Sequence, residues 1–103
     1  MNKPFMKQEY LDQLTDIFKN YCPNATILAY GSRINDDFHS GSDLDLTVKD
    51  FGDDNCNIGE LRNILTNSNI PFLIDISMFN DLPESFRENI LKKHIVIYPL
   101  SDI

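Results

Sequence analysis

Tyr30-Gly31-Ser32-Arg33-Ile34-Asn35-Asp36-Asp37-Phe38-His39-Ser40-Gly41-Ser42-Asp43-Leu44-Asp45-Leu46-Thr47-Val48 joins two apolar runs through a polar turn, and this stretch decides the fold. The run before it, residues 25–30, is short, almost wholly apolar and flanked by turn residues, the pattern of a strand buried on both faces. It delivers the chain to Gly31. A second strand is expected over residues 43–48. Alternate side chains on a strand share a face, so Asp43 and Asp45 point one way while Leu44 and Leu46 enter the core. Between the strands, residues 32–38 have room for a turn or two of helix, and residues 39–42 form a loop.

Outward from this stretch the chain alternates helix and strand. Tyr10, Leu11, Leu14, Ile17, Phe18 and Tyr21 recur at three- and four-residue spacing, which predicts an amphipathic helix over residues 7–21, ended by Pro23-Asn24. Residues 49–55 carry Gly52 and three aspartates and are expected to be a surface loop. Asn57 with Glu60 three residues on forms a capping box, and Ile58, Leu61, Ile64 and Leu65 give the buried stripe of the helix it opens. That helix should stop near residues 67–69. Residues 72–78 alternate, with Phe72, Ile74, Ile76 and Met78 on one face and Leu73, Asp75 and Ser77 on the other, which places Asp75 in mid-strand. Pro83 suits the first turn of a further helix, with Glu84 at its positive end, Lys92, Lys93 and His94 at its negative end, and Leu82, Phe86 and Ile90 as its buried edge. The run Ile95-Val96-Ile97-Tyr98 before Pro99 predicts a small edge strand. The expected fold is α/β (α+β): one domain over residues 1–103, with a small mixed sheet of about four strands flanked by helices.

Composition narrows the partners. The chain has 103 residues, 42% hydrophobic and 24% charged, with a formal net charge of −7. An acidic surface without a basic run is poorly suited to holding a polyanion by counterion release, so direct nucleic-acid binding is not expected, whereas divalent cations suit it. Cys22 and Cys56 have neither metal-ligand nor CxxC spacing and are expected to be free thiols. No apolar run approaches a membrane span and the first residues lack a signal-peptide core, so a cytoplasmic protein without membrane contact is expected.

Three carboxylates stand where strands disfavour them. Asp43 and Asp45 pointing together repel unless a cation lies between them, and Asp75 adds a third from a later strand. Such a set has the donors for two Mg²⁺ ions, with water and phosphate oxygens completing their octahedra. At Gly31-Ser32 a glycine permits close backbone approach to a phosphate, and the Ser32 hydroxyl with helix-opening amides donates to its oxygens. Arg33 follows at once, placed to pair with a triphosphate oxygen. An EF-hand is excluded because Val48 stands where that loop needs glycine. A P-loop is excluded for want of its lysine, and a dinucleotide fingerprint for want of its glycine spacing. Neither His39 nor His94 is assigned a catalytic role.

Gly31-Ser32-Arg33, ten intervening residues, Asp43-Leu44-Asp45-Leu46, and Asp75 on a later strand together resemble the minimal nucleotidyltransferases of the polymerase-beta-like superfamily. The likeness spans the leading helix, the helix before Asp75 and the closing Ile-Val-Ile-Tyr run. It implies that Gly31, Ser32 and Arg33 hold the triphosphate of ATP, that Asp43 and Asp45 bind Mg²⁺, and that Asp75 completes the site and favours deprotonation of an acceptor hydroxyl. The reaction implied is transfer of a nucleoside monophosphate with release of pyrophosphate. The chain departs from the family pattern at Ile34-Asn35-Asp36-Asp37, where two extra carboxylates weaken phosphate binding unless they face solvent. No stretch remains for an acceptor domain, so the resemblance further implies a partner or a second copy, either a hetero-oligomer or a homodimer. The partner it implies is a helical HEPN-domain toxin, which also serves as acceptor. The alternative is an antitoxin without catalysis, neutralising such a partner by covering its surface.

Overall fold

A computed structural model describes residues 6–31, 34 and 43–99 of the chain. The elements run α1 (Gln8–Tyr21), β1 (Thr26–Tyr30), β2 (Leu44–Asp50), α2 (Ile58–Thr66), β3 (Ile74–Met78), a 3₁₀ turn (Phe79–Asp81), α3 (Glu84–Lys92) and β4 (Ile95–Tyr98). The short helix expected over residues 32–38 and the loop over residues 39–42 lie outside the described residues, apart from Ile34, whose N–H donates to the Gly31 carbonyl at 3.2 Å.

The four strands form a mixed sheet in the order β3-β2-β1-β4. β1 lies antiparallel to both β2 and β4, whereas β2 and β3 run parallel through the α2 crossover. Ile27, Leu28 and Ala29 are all buried, so β1 is covered on both faces as its unbroken apolar run predicts. One face carries the main core, where Leu11, Leu14 and Phe18 of α1 and Leu61 and Leu65 of α2 pack on Ile27, Leu44, Leu46, Val48 and Ile76. Phe18 meets Tyr98 with ring centroids 5.8 Å apart, which ties α1 to the far edge strand. On the other face a smaller cluster, Leu28, Phe79 and Ile90 with Tyr30 and Leu82 against it, seats α3 over β1.

The capping box at α2 forms with a third member. The Glu60 N–H donates to Asn57 Oδ1 at 2.8 Å as expected. Its usual return bond is replaced. The Asn57 N–H donates to the Tyr21 hydroxyl at 2.9 Å, and that hydroxyl lies 3.1 Å from Glu60 Oε1, so the end of α1 helps cap α2.

Several expectations are corrected. Lys49 and Asp50 continue β2, because Asp50 pairs with Thr26 of β1, so the loop begins later than composition indicated. β3 begins at Ile74; Phe72 instead packs edge-on against Tyr10 at 5.8 Å. Ile64 is 36% exposed and not part of the buried stripe, since Leu61 and Leu65 already cover the sheet from α2. Phe86 is 44% exposed, and only Ile90 of α3 is fully buried, because α3 covers one side of its sheet face. Pro83 occupies the N-cap position of α3, one residue before its first turn. Cys22 and Cys56 are free thiols, and burial together with the Cys56 thiol pushes Cys22 up to about 11. Among the described residues no helix is long and apolar enough to cross a membrane.

Candidate active site

The parallel register of β2 and β3 sets Asp45 directly opposite Asp75, and the antiparallel register of β1 and β2 sets Tyr30 opposite Asp45. Residues paired in register point to the same face, so Tyr30, Asp45 and Asp75 form a row across three strands. It is the face that α3 seats on, but α3 lies over β1, which leaves the carboxylates at the uncovered side. Leu44 and Leu46 are completely buried on the opposite face, as the alternation requires, while Asp75 and Asp43 are exposed and Asp45 is half-buried. Beneath the row Thr47 is fully buried, and its hydroxyl donates to the Ser77 carbonyl at 3.2 Å, which fixes the seam between β2 and β3.

The electrostatics record the crowding. Burial, then the Asp75 and Asp43 carboxylates, raise the Asp45 carboxyl above its ordinary value. The Tyr30 phenol is raised too, by burial first and then by Asp45 and Asp75, while a side-chain hydrogen bond with Ser77 pulls the other way. The phenol therefore reaches into the carboxylate group.

Gly31 closes the site from β1. Its φ of +86° lies in the left-handed region, and a Cβ placed there would collide with Asp45 Oδ2. Glycine is required for both reasons, one conformational and one steric. Ser32 and Arg33 lie outside the described residues, as do Asn35, Asp36 and Asp37 from the departing segment and His39. Of the residues singled out in the sequence, the structure thus brings Gly31, Asp45 and Asp75 together, with Asp43 near enough to act on Asp45. Among the described residues no three His, Cys, Asp or Glu side chains close into a ready-made metal cage. The carboxylates still fit a cation: the exposed Asp75 and Asp43 act on the half-buried Asp45 from the same side, a repulsion that a divalent ion would relieve.

Beside Gly31, on the α3 side, lies a cavity of about 310 Å³ lined by Tyr30, Phe86, Asn89, Ile90 and Lys93. Tyr30 and Phe86 meet edge to face at 5.8 Å and 86°. Sequence analysis missed this feature. Tyr30 is signalled by its position just before Gly31 and two strands from Asp75, but nothing local tells that α3 returns to it. His94 caps α3, its Nδ1 3.0 Å from the Ile90 carbonyl, away from the carboxylates' strand positions.

The family model described as polymerase beta, nucleotidyltransferase, matches residues 12–102. The chain belongs to the polymerase-beta nucleotidyltransferase family. A probable protein adenylyltransferase MntA of Haemophilus influenzae is 30% identical over 93 residues, covering 89% of this chain and 82% of that protein. The four-stranded mixed sheet with its flanking helices is consistent with the family's fold, and nucleotidyl transfer is the activity class that goes with it.

Proposed function

We propose that this nucleotidyltransferase uses Mg²⁺ and ATP to transfer AMP to a hydroxyl on a partner protein, acting as antitoxin to a HEPN-domain toxin. The observation that carries the proposal is the register pairing of Asp45 with Asp75 beside the Cβ-less Gly31. The likeness to a protein named as an adenylyltransferase supports protein as the acceptor class.

Asp43, Asp45 and Asp75 would hold Mg²⁺, which when bound supplies charge stabilisation at the attacking and leaving oxygens. The rest falls to the chain. Gly31, with Ser32 and Arg33, orients the triphosphate so that its α-phosphorus faces the carboxylates. Asp75, the more exposed of the register pair, accepts the proton of the acceptor hydroxyl. The acceptor oxygen forms its bond to the α-phosphorus as the bond from that phosphorus to the bridging oxygen breaks, and pyrophosphate departs. Tyr30 stands opposite Asp45 in the row and presents its phenol to both Asp45 and Asp75.

The test is incubation with labelled ATP, Mg²⁺ and the HEPN partner. Label should enter the partner, and the double variant Asp43→Asn, Asp45→Asn should fold yet transfer none. A double variant that still neutralises the partner without nucleotide would replace this proposal with masking of the partner's surface.

A further inference from the structure

The cavity beside Gly31 is joined to the carboxylate row through a single residue, because Gly31 lines the cavity and also abuts the Asp45 carboxylate. At about 310 Å³ it lies at the lower end of small-ligand sites, and its walls combine aromatic rings with a few polar groups, the usual make-up of such sites. Phe86 is the notable wall. It is a large ring left 44% exposed on α3, and its edge-to-face contact with Tyr30 at 5.8 Å fixes it from below. A ring held in that way offers a preset stacking surface at little entropic cost. Asn89 supplies an amide with both donor and acceptor, matched to the edge of a base such as adenine, which likewise presents one of each. Lys93 adds a cation to the lining of a chain whose net charge is −7.

We propose that this cavity seats the base and ribose of the nucleoside triphosphate, with Tyr30 and Phe86 as the aromatic wall, Asn89 at the base edge and Lys93 beside the sugar and its phosphate. The inference rests on the nucleotidyltransferase function proposed above. The phosphates then run past Gly31 to the carboxylates, and the nucleoside fills the adjoining hollow. The aromatic pair and the amide give the site its discrimination between a nucleotide and a bare polyphosphate.

Calorimetric titration of the whole chain with Mg-ATP and, separately, with Mg-tripolyphosphate tests this. Phe86→Ala and Asn89→Ala should each weaken ATP binding, the former by about tenfold or more, as for loss of one base-stacking ring. Tripolyphosphate binding should be unchanged in both. Phe86→Leu keeps the apolar volume and checks the fold, and it should still weaken ATP. If the parent protein binds ATP no more tightly than tripolyphosphate, or if both variants bind ATP like the parent, the nucleoside does not occupy the cavity, although the carboxylate site stands. If neither ligand binds the parent protein, the inference falls together with the function on which it rests. If the variants lose only binding of the partner protein, the cavity is a protein-docking site and the inference is overturned.

Discussion

Asp45 of β2 and Asp75 of β3 are register partners in a parallel ladder, two carboxylates set side by side where a sheet would ordinarily put a hydrophobic or a neutral pair. The arrangement costs stability in the free protein, and under the proposed function it would supply donors for a cation.

That cost has a pH signature. The folded Asp45 carboxyl is raised, chiefly by burial and then by Asp75 and Asp43, so the folded state holds this proton more tightly than the unfolded chain. Its effect on stability is absent in acid and becomes a loss as pH climbs from the ordinary carboxylate range through the raised folded value. Thermal melts from pH 3.5 to 7 should therefore show Asp45→Asn gaining on the parent protein as pH rises. Mg²⁺ at pH 7 should raise the parent's melting temperature and raise that of Asp45→Asn less.

Gly31→Ala should be costly twice over. A left-handed φ of +86° is unfavourable for alanine by about 1–3 kcal/mol, and the new methyl must also push Asp45 aside. Urea denaturation should report a loss at or above the upper end of that range. The same variant should lose nucleotide binding, since the displaced carboxylate no longer stands opposite Asp75.

Tyr21→Phe removes one hydroxyl from the α2 cap while leaving the ring in place. The Asn57 N–H and the Glu60 carboxylate both lose a partner at an exposed position, so the expected destabilisation is about 0.5–1.5 kcal/mol, measurable by urea denaturation. Amide exchange should quicken first at Asn57 and the opening turn of α2.

The Tyr30 phenol should titrate above the ordinary tyrosine value, resolved from the other tyrosines by ring-carbon NMR. Burial is the larger cause, so Asp45→Asn should bring it down only in part. Because the folded phenol keeps its proton longer, this group's contribution to stability is complete below the ordinary tyrosine value and is lost as pH rises through the raised one.

The elements built on local signals were legible in the sequence: the apolar stripe of α1, the alternation that buries Leu44 and Leu46 and turns Asp45 away, and the Asn57 cap of α2. Legible too was the placing of Asp45 and Asp75 within apolar strands, where aspartate contradicts its surroundings, whereas Asp43, expected in the same strand as Asp45, stands one residue before β2. What escaped was decided by partners distant in the chain. Asp50 is strand because Thr26 pairs with it, and Phe86 is exposed because α3 lies over β1 and not over the whole face. The Tyr30–Phe86 wall joins residues 56 positions apart, and no periodicity of either segment encodes their meeting.

β3 is an edge strand, and Asp75 is its second residue, two positions after the 72%-exposed Leu73 that precedes the strand. β2, by contrast, is flanked on both sides. Apart from its ladder to β2, β3 is steadied on α2's side by the Arg62 Nη2 donation to the Ile76 carbonyl at 2.8 Å. The two facing carboxylates thus belong to parts of the sheet with different resistance to local opening. A ligand that bridges Asp45 and Asp75 does more than occupy a site. It staples an edge strand to the interior, and slowed amide exchange along residues 74–78 on nucleotide binding is how that staple would be seen.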